Sequence, residues 1–228
     1  MRVYVIDLKR RRDRHDRIEQ HVLDLGLDPV FIDAVDGASL PHLPKGTLVA
    51  AGEYGCFMSH IKVFDDFLLQ SNEAFALVLE DDVVLDPVIN WPSFLHQVER
   101  AMTEESLDYL QLGFITDFYK FGLQDRIRNL THRFTIKARA LKHTSNVAYL
   151  PNTSRAGTHC YAISRHFAEK TRHLNQPVWL PADGFFDRLA SSSSVSNYPN
   201  MGCVNKSLAE QESRLTPRTP HDSDVTPQ

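Results

Sequence analysis

The amino-acid sequence predicts an α/β layer structure with a mainly parallel central sheet flanked by helices. Two short, continuous apolar runs, Val3 to Ile6 and Phe75 to Leu79, read as buried strands. Between such runs lie segments whose apolar residues recur at helical spacing, most clearly Phe57, Met58, Ile61, Phe64 and Leu68. The chain has 228 residues, 42% hydrophobic and 24% charged, which is enough for one substantial core in an ordinary globular domain.

The elements follow in order. After the first strand, Asp13 is placed to cap a helix with Asp16 three residues on, and Ile18, Val22 and Leu25 form its apolar face. Gly26 is the expected stop. Val30 to Asp33 read as a second strand, and residues 38–52 as a loop broken by two prolines. A stronger helix over about 54–70 leads into the Phe75 to Leu79 strand, which ends directly at Glu80. A helix over about 93–102 turns Phe94, Leu95, Val98, Ala101 and Met102 inward, and Asp108 to Gly113 give another strand. Residues 117–155 fit a lid or excursion over a site. Tyr161 to Ile163 form a strand, and Ser164 caps a helix carrying Phe167, Ala168, Thr171 and Leu174. From residue 212 the composition turns to Ser, Thr, Pro and Asp, predicting one domain over 1–211 and a disordered tail over 212–228.

A formal charge of −4 and a pI near 6.2 argue against nucleic acid as a partner. One basic cluster stands out: Lys9, Arg10, Arg11, Arg12, Arg14 and Arg17. No apolar run approaches the roughly 18–20 residues that cross a bilayer, and no signal sequence is evident, so a cytoplasmic chain is expected. The three cysteines, Cys56, Cys160 and Cys203, show no CxxC spacing and suggest reduced thiols. Sequons at Asn129, Asn152 and Asn205 carry no weight without secretion.

The chemistry centres on Glu80, Asp81 and Asp82. Three consecutive acids at the end of an apolar strand repel one another, and a hard divalent cation such as Mn²⁺ or Mg²⁺ relieves that repulsion. In an extended segment Glu80 and Asp82 point to one side and Asp81 to the other, so two carboxylates converge on one cation. Such a cation can bridge the two phosphates of a nucleotide donor. A solvated acidic turn is the plainer account of the same triplet. In GEYGCFMSH, His60 could touch a phosphate or orient an acid, and Gly52 and Gly55 suggest a tight turn or a close backbone approach. Equally, His60 fits a satisfied core ring, Glu53 a helix-start acid, and Ser59 a side chain bonded to its own helix. The eleven histidines show no HxH or HExxH spacing, which argues against a histidine-based zinc site. Asp183, beside Gly184 in LPADGFFDRL, suits the general base of a sugar transfer, and suits a helix cap as well.

Taken together, these segments resemble glycosyltransferase family 25, which includes bacterial lipooligosaccharide galactosyltransferases and procollagen galactosyltransferases. The resemblance rests on VYVIDLKRRRDR at 3–14, FIDAVDG at 31–37, GEYGCFMSH at 52–60, LVLEDDVVL at 77–85, LDYLQLG at 107–113 and GTHCYAISRHFAEK at 157–170. It implies a GT-A-type Rossmann-like domain, a UDP-sugar donor with UDP-galactose first, Mn²⁺ as the metal, and inversion at the anomeric carbon. Carried over by position, Glu80 and Asp82 are the metal acids. Asp7, Arg14, Asp36, Gly37, Glu53, Ser59, His60 and Asp81 are donor-side residues, and Asp183 is the base. Asp7 stands where many relatives carry asparagine or serine, and the family pattern is poorly matched around MGCVNKSLAE. The implied acceptor is a glycan or lipid-linked oligosaccharide in surface-glycan synthesis. The basic cluster would give weak peripheral contact at the inner face of the membrane. The alternatives are a metal-dependent phosphohydrolase or phosphotransferase using the same acids, and a non-catalytic binder of nucleotide sugars.

Overall fold

The computed structural model describes residues 1–115, 142–143, 147–192 and 198–212. The excursion expected over 117–155 lies outside the described residues at 117–141 and 144–146, and the expected tail does so from residue 213.

The strands are β1 (Arg2–Asp7), β2 (Pro29–Asp33), β3 (Phe75–Glu80), β4 (Val83–Leu85), β5 (Tyr109–Gly113), β6 (Lys142–His143), β7 (Ala148–Pro151), β8 (Cys160–Ser164), β9 (Met201–Val204) and β10 (Ala209–Gln211). Eight of them form one sheet in the order β2-β1-β3-β8-β5-β9-β7-β6, while β4 and β10 pair separately. β1 pairs in parallel with β2 and β3, and β5 with β9. The remaining pairings are antiparallel, because β7 and β8 run against the other six strands. The sheet is thus mainly unidirectional, as expected, with one reversed strand, β8, inserted between β3 and β5.

Among the described residues, five α-helices flank it: α1 (Arg12–Asp24), α2 (Ala51–Gln70), α3 (Trp91–Glu104), α4 (Arg165–Thr171) and α5 (Ala182–Ser192). Alternation along the strands divides the core between two faces. Val3, Val5, Leu77 and Leu79 pack with Ile18 and Val22 of α1 and with Leu95, Val98 and Met102 of α3. Tyr4, Ile6, Ala76 and Val78 pack on the other side with Phe57 and Phe64 of α2, Phe167 of α4, and Phe185 and Phe186 of α5. Each large apolar side chain so buried contributes about 1.5–3 kcal/mol. This three-layer arrangement is a Rossmann-like α/β fold.

Helix ends differ from expectation in detail. α1 starts one residue before Asp13, its N-cap is Arg11, and no side chain caps it. Asp13 sits in the first turn instead, gripped by the Arg11 guanidinium at 3.0 and 2.9 Å. That grip holds its carboxyl down at about 2. Gly26 does follow α1, at φ +74°, the left-handed conformation of a helix stop. α2 begins at Ala51 because the Ala50 N–H donates to the Glu53 carboxylate at 2.9 Å, so the loop expected over 38–52 ends earlier. Ser164 caps α4 by accepting from the Phe167 N–H at 3.0 Å, as expected.

Candidate active site

The carboxyl ends of β1, β2 and β3 lie side by side, with Asp7 opposite Asp33 and Ile6 opposite Glu80. Ligands of open α/β sheets collect at this edge, and here the edge is acidic. β3 stops at Glu80, and Asp81 and Asp82 form the turn into β4. The strict alternation expected for the triplet therefore ends at Glu80, and the three carboxylates meet different neighbours.

Asp81 is buried toward β1. Its Oδ2 accepts from the Leu8 N–H at 3.1 Å and its Oδ1 from Arg14 Nη1 at 3.1 Å. Arg17 donates to its carbonyl at 3.2 Å. Burial pushes the Asp81 carboxyl up, with Arg14 and the Leu8 N–H opposing. Asp7, also buried, has Oδ2 2.9 Å from Nδ1 of His15, whose ring rests on Phe31 with centroids 4.7 Å apart. Its Oδ1 is buried with no partner among the described residues.

Glu80 faces α2. Its Oε1 accepts from the Thr158 hydroxyl at 2.5 Å and lies 3.5 Å from His60 Nε2. Burial pushes its carboxyl up, but the His60 and Thr158 contacts outweigh that and bring it below its ordinary value. His60 is fully enclosed, with Nδ1 2.7 Å from the Tyr161 hydroxyl and Nε2 3.9 Å from Cys56 Sγ. Asp82 is the anomaly. Its Oδ1 is buried without a hydrogen-bond partner among the described residues, and its nearest cation is Arg14, 3.9 Å from Oδ2. Burial and then the charge of Glu80 push its carboxyl up to about 7. An ionised Asp82 next to Glu80 therefore wants more positive charge than Arg14, 3.9 Å from its Oδ2, supplies. Those residues fit a hard divalent cation.

Asp183 lies in the first turn of α5, half-buried, with Oδ1 accepting from the Gly184 N–H at 2.8 Å. It shares the neighbourhood of the other acids: the Cys56 thiol is raised by burial and then by Glu80, Asp183, Asp82 and Glu53. Four other expected residues are committed to the scaffold. Asp36 accepts from the Ala38 N–H at 3.1 Å, from the Ser39 hydroxyl at 3.0 Å and from Arg10 at 3.0 Å. Ser59 accepts from the Val35 N–H at 2.8 Å and donates to the Gly55 carbonyl at 2.6 Å. Glu53 caps α2, and Gly37 abuts it so closely that a Cβ would lie 1.9 Å from the Ala51 carbonyl oxygen. The basic cluster is largely paired as well: Lys9 with Asp33, Arg10 with Asp36, Arg11 with Asp13, Arg14 with Asp81 and Arg17 with Glu212.

Thr158, Tyr161 and His15 have no assigned role in the sequence reading, where Arg17 figures only in the basic cluster and Cys56 only as a reduced thiol, yet all five touch the site. For Cys56 a signal existed: it precedes His60 by four residues on a helix, which puts both on one face. Thr158 and Tyr161 had none, since only the reversed direction of β8 brings them to the end of β3.

A Rossmann-like sheet with acids, Asp82 among them carrying a buried partnerless oxygen, gathers charge at the edge where open α/β sheets hold their ligands. The chain belongs to glycosyltransferase family 25: residues 1–186 match the family described as "Glycosyltransferase family 25 (LPS biosynthesis protein)". Among its relatives, human procollagen galactosyltransferase 2 is 28% identical over 216 residues, 86% of this chain and 31% of that protein. Xenopus laevis procollagen galactosyltransferase 1-A is 30% identical over 126 residues, 47% of this chain and 20% of that protein. Human inactive glycosyltransferase 25 family member 3 is 30% identical over 129 residues, 50% of this chain and 21% of that protein. The chain thus covers between a fifth and a third of the length of these relatives. No helix among the described residues is long and apolar enough to cross a membrane.

Proposed function

We propose that the protein is a metal-dependent, inverting glycosyltransferase that moves a hexose, galactose first, from a UDP-sugar to a hydroxyl of a glycan or lipid-linked oligosaccharide. Membership of family 25 and the galactosyltransferase names of two relatives support the reaction class. The observation that carries the metal dependence is the buried, partnerless Oδ1 of Asp82 beside Glu80 at the carboxyl end of β3. Glu80 and Asp82 would hold Mn²⁺ or Mg²⁺, which supplies charge neutralisation for a departing diphosphate.

The chain's own residues do the rest. Asp183 takes the proton of the acceptor hydroxyl at its carboxylate. Arg14 fixes Asp81, and through it the turn that carries Asp82. Asp7 and His15 line the donor side next to that turn. Asp36, Gly37, Glu53 and Ser59 act on the donor indirectly, by seating the start of α2 against the segment after β2. The reaction belongs to surface-glycan synthesis in the cytoplasm, at the inner face of the membrane. With its basic cluster already paired to acids, membrane contact there depends on the acceptor's lipid rather than on that cluster.

A donor screen by thermal unfolding, with and without Mn²⁺, tests this. UDP-galactose with Mn²⁺ should protect the wild-type protein, and Glu80→Gln and Asp82→Asn should lose the metal-dependent part. Metal-dependent protection retained in both variants would take these acids out of the site. A non-catalytic binder, the reading favoured by the inactive human relative, predicts UDP binding without release of UDP from the sugar nucleotide across acceptors.

A further inference from the structure

Cys56, His60 and Glu80 each turn one ligand atom toward a common point. Sγ of Cys56 is 3.9 Å from His60 Nε2, which is 3.5 Å from Glu80 Oε1, and all three atoms lie within 4.8 Å of one another. A tetrahedral zinc ion with bonds of about 2.0–2.3 Å needs ligand–ligand edges of roughly 3.3–3.6 Å, so the trio stands a few tenths of an ångström to about 1 Å wider than a loaded site. The positions follow from the fold. Cys56 and His60 share one face of α2 at i, i+4, and β3 delivers Glu80 to that face.

A second, independent feature is that two of the three ligand groups are held by hydrogen-bonding side chains, His60 through its far nitrogen and Glu80 at Oε1 itself. His60 Nδ1 is 2.7 Å from the Tyr161 hydroxyl, and the ring is packed against Phe186 with centroids 6.0 Å apart. In a loaded site the imidazole would carry its proton on Nδ1, facing that oxygen, and turn an Nε2 lone pair to the cation. Glu80 is held by the Thr158 hydroxyl at 2.5 Å. Outer partners of this kind orient metal ligands in known sites. Burial and then the charges of Glu80, Asp183, Asp82 and Glu53 raise the Cys56 thiol, so the sulfur is protonated until a cation enters that negative surround.

We propose that Cys56, His60 and Glu80 form a site for a borderline-soft divalent cation of the zinc class, separate from the Asp82 site and sharing Glu80 with it. A thiolate–imidazole–carboxylate set selects Zn²⁺ or Co²⁺ over Mn²⁺ and Mg²⁺, which prefer all-oxygen ligands. On binding, Cys56 releases its thiol proton to solvent, His60 coordinates in its neutral form, and the fourth position stays open to water or a ligand oxygen. Because Glu80 is shared, such an ion would compete with the donor's cation; that competition, unlike the site itself, rests on the function proposed above.

Cobalt titration of the metal-free protein, followed by absorption, tests the site without any nucleotide. One equivalent of Co²⁺ should produce tetrahedral d–d bands and a near-ultraviolet thiolate-to-cobalt band, both abolished by one equivalent of Zn²⁺. Cys56→Ser, checked for folding by circular dichroism, should lose the thiolate band, and Asp82→Asn should keep it. On the wild-type chain, Zn²⁺ at ten times its dissociation constant should slow alkylation of Cys56 about tenfold, read by peptide mass spectrometry. Absence of the thiolate band from the wild-type protein, its survival in Cys56→Ser, its loss in Asp82→Asn, or unprotected Cys56 would each overturn the assignment. Failure of the donor screen would leave these signals in place.

Discussion

Asp82→Asn should stabilise the metal-free protein, and the gain should depend on pH in a defined direction. Asp82 has an ordinary value of 3.8 and is pushed up to about 7 in the folded chain, by burial and then by the charge of Glu80. Below about pH 4 the carboxyl is protonated in both folded and unfolded states, so the Asp and Asn proteins should match. Between the two values the unfolded chain has lost a proton that the folded protein still holds. Wild-type stability therefore falls as pH rises, by at most about 1.4 kcal/mol per pH unit, and levels off above about 7. The ceiling on the difference is about 4 kcal/mol, reduced by loss of the 3.9 Å contact with Arg14. Urea unfolding in EDTA at about pH 5 and about pH 7.5 is the assay, and the advantage of Asn should widen by about 2 kcal/mol between them. Adding Mn²⁺ at the higher pH should stabilise the wild-type protein and leave the variant unmoved. A variant less stable than wild type at pH 7.5, or an advantage independent of pH, would refute the claim that this carboxylate is held against its own preference.

Arg14→Met should cost about 3–5 kcal/mol in denaturant unfolding, because it leaves the buried Asp81 carboxylate without its guanidinium; a change under about 1 kcal/mol would mean that the Leu8 N–H suffices. Gly55→Ala places a Cβ 2.4 Å from the Val35 carbonyl oxygen and 2.7 Å from the Gly37 nitrogen. It should lower stability by about 1–3 kcal/mol, and a neutral melting temperature would show that the seam between α2 and the segment after β2 yields. Asp183→Asn should reduce turnover about 10²–10⁴-fold while keeping metal-dependent protection by UDP-galactose, and unchanged turnover would move the general base elsewhere.

The parts of the fold that could be read in advance were those set by local physics. The Phe75 to Leu79 run had to be a buried strand, and its end at Glu80 put acid at a sheet edge before any pairing was known. The Phe57, Ile61 and Phe64 stripe likewise specified the buried face of α2. Strand direction was a different matter. Nothing within Cys160–Ser164 says which way it runs, because an antiparallel and a parallel partner present the same apolar surface to the layers above and below. The cap of α1 was misassigned because Asp13 is drawn to Arg11, a competition that residue types alone do not rank. At the site, the acids stood out by their charge and adjacency. Cys56 did not, since its meaning comes from Glu80, which is distant in the chain and reaches it only once β3 is laid beside α2. The alternation expected from Glu80 to Asp82 stops at Glu80 for a related reason: a strand's alternation governs side chains only while the strand lasts.

The reversal of β8 changes what kind of chain reaches the ligand rim. In a uniformly parallel sheet every rim loop leaves a strand, whereas here one rim position is occupied by chain on its way in, and Thr158 and His159 both meet Glu80 before Cys160 enters the sheet. The stretch arriving at Thr158 is moored to the next strand, since Gln111 of β5 donates to the Arg155 and Gly157 carbonyls at 2.9 and 2.6 Å, so the rim beside the acids is shaped by a segment that β5 holds in place.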